Sequence, residues 1–183
     1  MRGPLLSGAL GSPATLDRVS DLVRTRLPVV VLSTLWLAEV LATEMPVLAL
    51  VEEQKRKAAL RVKRRGDKTA RPLSFVVAAS EVPLARESVG SVVLDSLVEI
   101  EDQAAASDLL VGLLPALRPD GLVISLDATK SPALETRVSE IFLAASMARI
   151  TQLRPREGAL ITMAYAPHPA VIKARVRGLL AEP

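Results

Sequence analysis

Carboxylates that follow apolar runs are the side chains of this sequence best suited to chemistry. Asp95 and Glu99 follow the apolar residues 92–94, and Asp127 follows residues 122–126. A carboxylate at the end of a strand can act as a general base that takes a proton from a hydroxyl or an amine. The same side chains can instead cap a following helix or turn. The residue types alone leave both roles open.

Other reactive groups are scarce. The 183 residues include no cysteine, which excludes disulfides, thiolate metal sites and a cysteine nucleophile. The one histidine is His168, so a zinc site is not favoured, and its Pro-His-Pro setting predicts a solvent-exposed ring. Aromatic residues make up 2% of the chain, which argues against a stacking platform for single-stranded nucleic acid.

A basic segment is the second kind of candidate site. Residues 55–71 hold nine Lys and Arg residues and one acid, Asp67, which gives the segment a net charge of +8. The whole chain carries +3, so the remainder carries −5. This block predicts either a patch that binds nucleic acid or another polyanion, or a solvated helix face and loop. In the first case the central residues are Lys63, Arg64 and Arg65.

The elements that must position these groups are organised around residues 28–53. The apolar runs Val29–Leu32 and Val47–Val51 flank a segment with apolar residues at helical spacing, which predicts a β-α-β unit. Strands that are apolar at every position are buried on both faces, so we expect a parallel sheet covered by helices on each side. In such a unit a nucleotide cofactor binds on glycines at the first strand-to-helix turn. That turn, Ser33-Thr34-Leu35-Trp36, contains no glycine.

The rest of the chain continues the alternation of helices and strands. Further helices are predicted at residues 12–26, 52–64 and 104–117, and from residue 131 onwards. The buried face of the third is expected to hold Leu109, Leu110, Leu113, Leu114 and Leu117, and that of the fourth Leu134, Val138, Ile141, Phe142 and Ala145. Residues 118–121 are expected to form a tight turn. Further strands are predicted at residues 74–78, 92–95, 122–126, 148–153 and 159–165, the last two forming an antiparallel hairpin.

Length and composition fit a single domain. With 50% hydrophobic residues, the chain can fill one core, built from a lead-in of residues 1–27, an α/β body of residues 28–167 and a tail of residues 168–183. The longest uncharged stretch of the first apolar region is residues 27–38, shorter than the roughly 20 residues that span a bilayer. No convincing signal peptide precedes it. The sequence therefore predicts a cytoplasmic protein without a membrane span.

Three segments resemble the class I S-adenosylmethionine-dependent methyltransferases. They are residues 73–94 (LSFVVAASEVPLARESVGSVVL), residues 114–126 (LPALRPDGLVISL, similar to an LRPGG turn before strand five) and the hairpin strand at residues 158–165. Their order and spacing extend the resemblance over residues 28–167. It implies a Rossmann-like doubly wound α/β fold, with a seven-stranded sheet of order 3-2-1-4-5-7-6 in which strand 7 is antiparallel.

The resemblance also indicates where S-adenosylmethionine would bind, and the match there is poor. The family's first strand leads into a G-x-G-x-G turn whose bare backbone contacts the cofactor, whereas Ser33 begins a turn without glycine. Glu52 matches the acid that holds the ribose hydroxyls, although it equally suits a helix N-terminus, where an acid gains about 0.3–1 kcal/mol. Glu81 lies a residue or two beyond the acid that contacts adenine. Ser33, Glu52 and Glu81 are therefore predicted to be vestigial cofactor-binding positions.

Three functions follow from these observations. The first is a methyltransferase-like domain that has lost its cofactor and acts as a non-catalytic protein-interaction or regulatory subunit, bound to a protein partner or a second copy. The second is an active S-adenosylmethionine-dependent methyltransferase with an atypical cofactor loop, acting on a small molecule or a protein. In that case Asp95 and Glu99 stand where the family places substrate-facing or catalytic groups. The third is a polyanion- or nucleic-acid-binding module that uses residues 55–71.

Overall fold

A computed structural model describes residues 11–32, 35–51, 73–77, 84–128, 131–155, 158–169 and 172. Within these residues the chain forms seven strands and four α-helices. The strands are β1 (Val29–Leu32), β2 (Val47–Val51), β3 (Leu73–Val77), β4 (Val89–Asp95), β5 (Leu117–Asp127), β6 (Ala148–Leu153) and β7 (Leu160–Tyr165). The helices are α1 (Pro13–Val23), α2 (Leu35–Leu41), α3 (Gln103–Leu113) and α4 (Pro132–Ala144).

The strands form one sheet in the order β3-β2-β1-β4-β5-β7-β6. Neighbouring strands from β3 to β5 are parallel, and β7 pairs antiparallel with both β5 and β6. This arrangement confirms the predicted doubly wound, Rossmann-like sheet and its antiparallel strand 7. The strand order reverses between the paired strands β1 and β4, so the topological switch point of the sheet lies at the carboxyl ends of these two strands.

Side chains along the central strands alternate between the two faces of the sheet, so the core consists of two clusters, one on each face. Val29 and Val31 of β1 belong to one cluster, whereas Val30 and Leu32 belong to the other. Helices α1 and α2 cover the first cluster, and α3 and α4 cover the second. Successive side chains of a strand point to opposite faces. A run that is apolar at every position therefore fills both clusters.

The start of α1 confirms the helix predicted at Ser12-Pro13. The Ser12 hydroxyl accepts a hydrogen bond from the Thr15 N–H at 3.2 Å, and Pro13 occupies the first helical turn, where its missing N–H costs nothing. The buried Thr15 hydroxyl in turn accepts from the Ala159 N–H at 3.1 Å. This contact ties the helix to the chain just before β7.

The amino end of β4 lies against the connection that precedes β1. The Gly90 N–H donates to the Pro28 carbonyl at 3.1 Å, and the Ser91 hydroxyl donates to the Arg26 carbonyl at 2.9 Å. A Cβ on Gly90 would lie 2.3 Å from the Arg26 carbonyl oxygen, so a side chain does not fit. This close approach extends β4 back to Val89, whereas the sequence predicted a start at residue 92.

The region around Pro115 differs from the sequence prediction. The helix predicted to extend to residue 117 ends at Leu113, and a single 3-10 turn, Leu114–Ala116, follows. β5 already begins at Leu117, so the tight turn predicted at residues 118–121 lies within this strand, beside a register shift in its pairing with β4. Proline lacks the N–H that the next helical hydrogen bond requires and clashes with the preceding turn, which explains the early end.

Two leucines predicted to be buried lie on exposed helix faces. Leu109 of α3 and Leu134 of α4 are 37% and 36% exposed. The other residues predicted on these faces include Leu110 and Leu113 of α3 and Val138, Ile141 and Phe142 of α4, and all five are buried. A helix in which apolar residues are adjacent has more than one possible buried face, and packing against the sheet selects one of them.

Candidate functional site

The carboxyl ends of β1, β4 and β5 form the edge of the sheet where a ligand site is expected. Open α/β sheets bind ligands outside the carboxyl ends of their strands, at the switch point. β1 ends at Leu32, and β4 and β5 end at Asp95 and Asp127. Asp95 is half-buried and pairs in register with Leu126 of β5. The structure therefore places Asp95 at the edge that the sequence predicted.

The connection from β1 to α2 is short and is followed by bulky side chains. Only two residues separate the end of β1 at Leu32 from the start of α2 at Leu35. Leu35 and Trp36, the first two residues of α2, are half-buried and pack against the first core cluster. The helix itself is seven residues long. The apolar side chains that begin it thus contribute to the core.

The segment that follows β4, residues 96–101, is named here the β4 turn. Ser96 has a left-handed backbone (φ 57°), which is uncommon for a residue other than glycine, and its N–H donates to the Leu126 carbonyl at 2.7 Å. Leu97–Glu99 then form a 3-10 turn that leaves Glu99 exposed. The next helix, α3, is capped by Asp102, which accepts from the Ala104 N–H at 2.8 Å. Neither Asp95 nor Glu99 is therefore the cap of α3.

Asp127 holds the β4 turn from the end of β5. Its side chain is fully buried, and its carboxylate accepts from the Val98 N–H at 2.8 Å and from the Ser125 hydroxyl at 2.7 Å. Burial raises the pKa of this carboxyl above its ordinary value of 3.8. The two hydrogen bonds lower the pKa and so oppose burial, whereas the negative charges of Asp95 and Glu99 raise it further. Asp127 thus serves the turn before α3.

Arg137 of α4 holds the same turn from the opposite end. Its guanidinium donates to the carbonyl oxygens of Ile100 and Glu101. No role for this arginine follows from the sequence, because no local pattern links a helical arginine to a turn 37 residues earlier. The sequence does contain a signal for the hydrogen bond between Ser125 and Asp127, since Ser125 is a polar residue inside an apolar strand and a buried hydroxyl requires a partner.

The predicted cofactor and polyanion residues lie outside the described part of the chain. These residues are Ser33, Glu52, Glu81, Lys63, Arg64 and Arg65, together with the whole of segment 55–71. Their roles stay predictions. His168 is exposed, as predicted, and its carbonyl accepts from the Ile172 N–H at 3.3 Å.

The described residues show neither a metal-binding cluster nor a membrane-spanning helix. No group of three or more His, Asp or Glu side chains among them is arranged to hold a metal ion. Over the same residues, no helix combines the length and the apolar character that crossing a membrane requires. The carboxylates and backbone groups at the ends of β4 and β5 form the candidate site, because they lie at the carboxyl edge of the sheet.

Comparison with solved structures reveals the relationship of this sheet to known folds. The structure superposes on a SAM-dependent methyltransferase from Aquifex aeolicus with a TM-score of 0.57 and 14% sequence identity, over 85% of this chain and 99% of that one. An O-methyltransferase family protein from Burkholderia thailandensis gives a TM-score of 0.64 at 15% identity, over 85% of this chain and 56% of that one. The structure of PigF with SAH gives 0.65 at 8% identity, over 84% of this chain and 58% of that one.

The chain has the class I methyltransferase fold. It spans a little over half the length of the Burkholderia protein and of PigF. No protein-family model matches the sequence, and no curated protein matches it either. At these low identities the likeness establishes the methyltransferase fold, and the activity must be argued from the site.

Proposed function

We propose that this chain is a methyltransferase-fold protein that does not bind S-adenosylmethionine and acts as a non-catalytic protein-interaction or regulatory subunit. The observation that carries the proposal is the connection between β1 and α2. In the family that the sequence resembles, this connection is a glycine-rich turn whose bare backbone contacts the cofactor. Here it is only two residues long, and every residue from Leu32 to Trp36 carries a Cβ.

The first residues of α2 also argue against the cofactor. Leu35 and Trp36 are half-buried and contribute apolar surface to the first core cluster, so each supplies part of the roughly 1.5–3 kcal/mol that full burial of a large apolar side chain gives. Moving either side chain to admit a ligand would forfeit part of that burial. This packing supports the proposal that no adenosyl ligand binds at the end of β1.

The length of α2 is a second supporting argument. A helix N-terminus binds anionic groups through unpaired N–H groups and the helix dipole. At seven residues, α2 makes about two turns, and its first turn contains no charged or hydroxyl side chain to assist a ligand. The N-terminus of α2 is therefore a weaker anion-binding site than that of the full-length helix that follows the glycine-rich turn in nucleotide-binding folds.

The carboxylates at the edge support a binding role over a catalytic one. A general base must be free to take a proton from its substrate. Asp127 is instead fully buried and bound to Val98 and Ser125, where it maintains the β4 turn. Asp95 and Glu99 are more accessible, and we assign them to the surface that meets a partner.

Thermal unfolding with S-adenosylmethionine and with S-adenosylhomocysteine tests the proposal. A ligand present at 100 times its Kd stabilises the folded state by about 2.7 kcal/mol, which raises the Tm of a chain of this size by roughly 5–11 °C. We expect no shift in Tm with either ligand at about 1 mM, and no heat of binding by calorimetry. The Aquifex methyltransferase, measured in parallel, is the positive control.

Binding of either ligand with a micromolar Kd would overturn the proposal and support the active methyltransferase. The Tm measurement itself shows that the sample is folded, because only a folded chain unfolds cooperatively. Light scattering on the same sample reports whether the partner is a second copy of the chain. A monomer would direct the search to a different protein.

A further inference from the structure

The β4 turn is held by side chains from two separate elements. Asp127 at the end of β5 accepts from the Val98 N–H, and Arg137 of α4 donates to the carbonyls of Ile100 and Glu101. The turn begins at Ser96, whose left-handed backbone is unfavourable for a residue with a side chain. Such a conformation persists only where its surroundings maintain it, so the turn depends on these tethers.

We propose that Asp127 makes the β4 turn responsive to pH: the ionised carboxylate holds Val98 in the described conformation, and protonation loosens the turn and moves Glu99. The inference does not depend on the proposed function, because it concerns the ends of β4 and β5 and not the connection after β1. In this proposal the protonation state of the buried Asp127 controls the position of the exposed Glu99.

The hydrogen bonds of Asp127 supply the physical reason. An ionised acceptor binds an N–H roughly twice as strongly as a neutral one, so protonation weakens the bond to Val98. Protonation of the second carboxyl oxygen also turns that oxygen into a donor, and the Ser125 hydroxyl, which donates to it at 2.7 Å, must then rotate to accept. Both tethers of the carboxyl therefore change with one proton.

The charges around Asp127 bring its titration closer to neutral pH. Burial is the largest cause that favours proton uptake, and the negative charges of Asp95 on β4 and Glu99 on the β4 turn add to it. From α4, the positive charge of Arg137 acts at the far end of the turn, on the carbonyls of Ile100 and Glu101. On β7 the residue paired with Asp127 is the uncharged Leu160.

Nuclear magnetic resonance on the full chain tests the inference. The Val98 amide and the Asp127 carboxyl carbon are followed from about pH 4 to about pH 8, and both are expected to shift with one common midpoint above the ordinary Asp value of about 3.9. Below that midpoint, after correction for the intrinsic exchange rate, protection of the Val98 amide from hydrogen exchange is expected to fall roughly fivefold to tenfold. The Ala159 amide is the internal control, because it donates to the neutral hydroxyl of Thr15.

Two variants keep the inference falsifiable. Asp127→Asn retains an acceptor for Val98 without a titrating proton, so the Val98 shift is expected to vanish. Ser125→Ala removes a hydrogen bond that favours the ionised carboxyl, so the common midpoint is expected to rise. A Val98 amide that ignores the Asp127 midpoint, or one that titrates equally in Asp127→Asn, would overturn the proposal.

Discussion

At the scale of single residues, the buried carboxyl of Asp127 shows how the carboxyl edge of the sheet shifts a pKa. Its pKa is raised because burial disfavours the charged form more than the two hydrogen bonds favour it. The folded protein therefore binds a proton at Asp127 more tightly than the unfolded chain does. Ionising this residue in the folded state reduces stability, although the ionised form makes the stronger bond to Val98.

Because the folded-state pKa of Asp127 is raised, the contribution of this residue to the free energy of unfolding falls as the pH rises. The contribution of Asp127 to the free energy of unfolding is full below the unfolded-state pKa, near 3.8, and is lost as the pH rises through the higher folded-state pKa. We expect Asp127→Asn to abolish this loss, since its amide serves both Val98 and Ser125. Asp127→Ala removes the acceptor and should lower the free energy of unfolding by about 1–3 kcal/mol.

Urea denaturation of the wild type and both Asp127 variants across a pH series measures these differences. The difference between the wild type and Asp127→Asn isolates one group from the other carboxylates, which titrate in both proteins. Parallel pH profiles for these two proteins would contradict the assignment of a raised pKa to Asp127.

At the scale of elements, two glycines have opposite roles, and each yields a prediction for alanine. Gly90 lies where a Cβ would meet the Arg26 carbonyl oxygen at 2.3 Å, whereas Gly112 in α3 has no atom within 4 Å of the Cβ position. Gly90→Ala should lower the free energy of unfolding by about 1–3 kcal/mol, since β4 must shift from the connection before β1. Gly112→Ala should raise it by about 0.5–1 kcal/mol, because alanine favours the helix.

The two glycine variants serve as controls for each other. Both add one methyl group to the chain, so any general effect of that change is common to them. Thermal and urea unfolding, followed by circular dichroism, measure both proteins. Effects of the same sign would show that the close approach between β4 and Arg26 is not tight.

β6 is an edge strand of the sheet formed by the described residues, and its geometry limits how a second copy could bind. Arg149 has a left-handed backbone (φ 54°), and the pairing of β6 with β7 shifts register between Ala148 and Thr151. Bulges of this kind twist an edge strand away from flat pairing. If the partner in the proposed function is a second copy, we expect it to bind a surface other than this edge.

At the scale of the whole molecule, charge is unevenly distributed along the chain. Segment 55–71 carries +8 and the remainder −5. For a segment that binds polyanions, reversing Lys63, Arg64 and Arg65 to glutamate should weaken binding to duplex DNA and flatten its salt dependence. The slope of log K against log salt falls by roughly 0.9 for each phosphate that the variant no longer neutralises. Filter binding or fluorescence anisotropy over a salt series measures both quantities.

A matched triple variant separates the local effect from total charge. Arg18, Arg86 and Arg149 are exposed residues outside the segment, and reversing them changes the net charge by the same amount. Binding should fall much less in that protein. DNA binding that is unaffected by reversing Lys63, Arg64 and Arg65 would remove the segment as its cause.

The sequence by itself determined the alternation of strands and helices, the parallel core of the sheet and the antiparallel end. These features arise from apolar periodicity and turn residues, which belong to contiguous stretches of chain. The start of β4 at Val89 and the end of α3 at Leu113 were not predicted from the sequence. A close backbone approach at Gly90 decided the first, and a proline next to the helix end decided the second.

Only the tertiary structure decided how the candidate site is held together. Asp127 and Val98 are 29 residues apart, and Arg137 and Ile100 are 37 apart, yet these pairs maintain the turn that presents Glu99. The raised pKa of Asp127 likewise depends on burial and on charges from β4 and the β4 turn. Local sequence patterns do not encode such contacts, because the contacts form only when elements distant in the chain meet at one edge of the sheet.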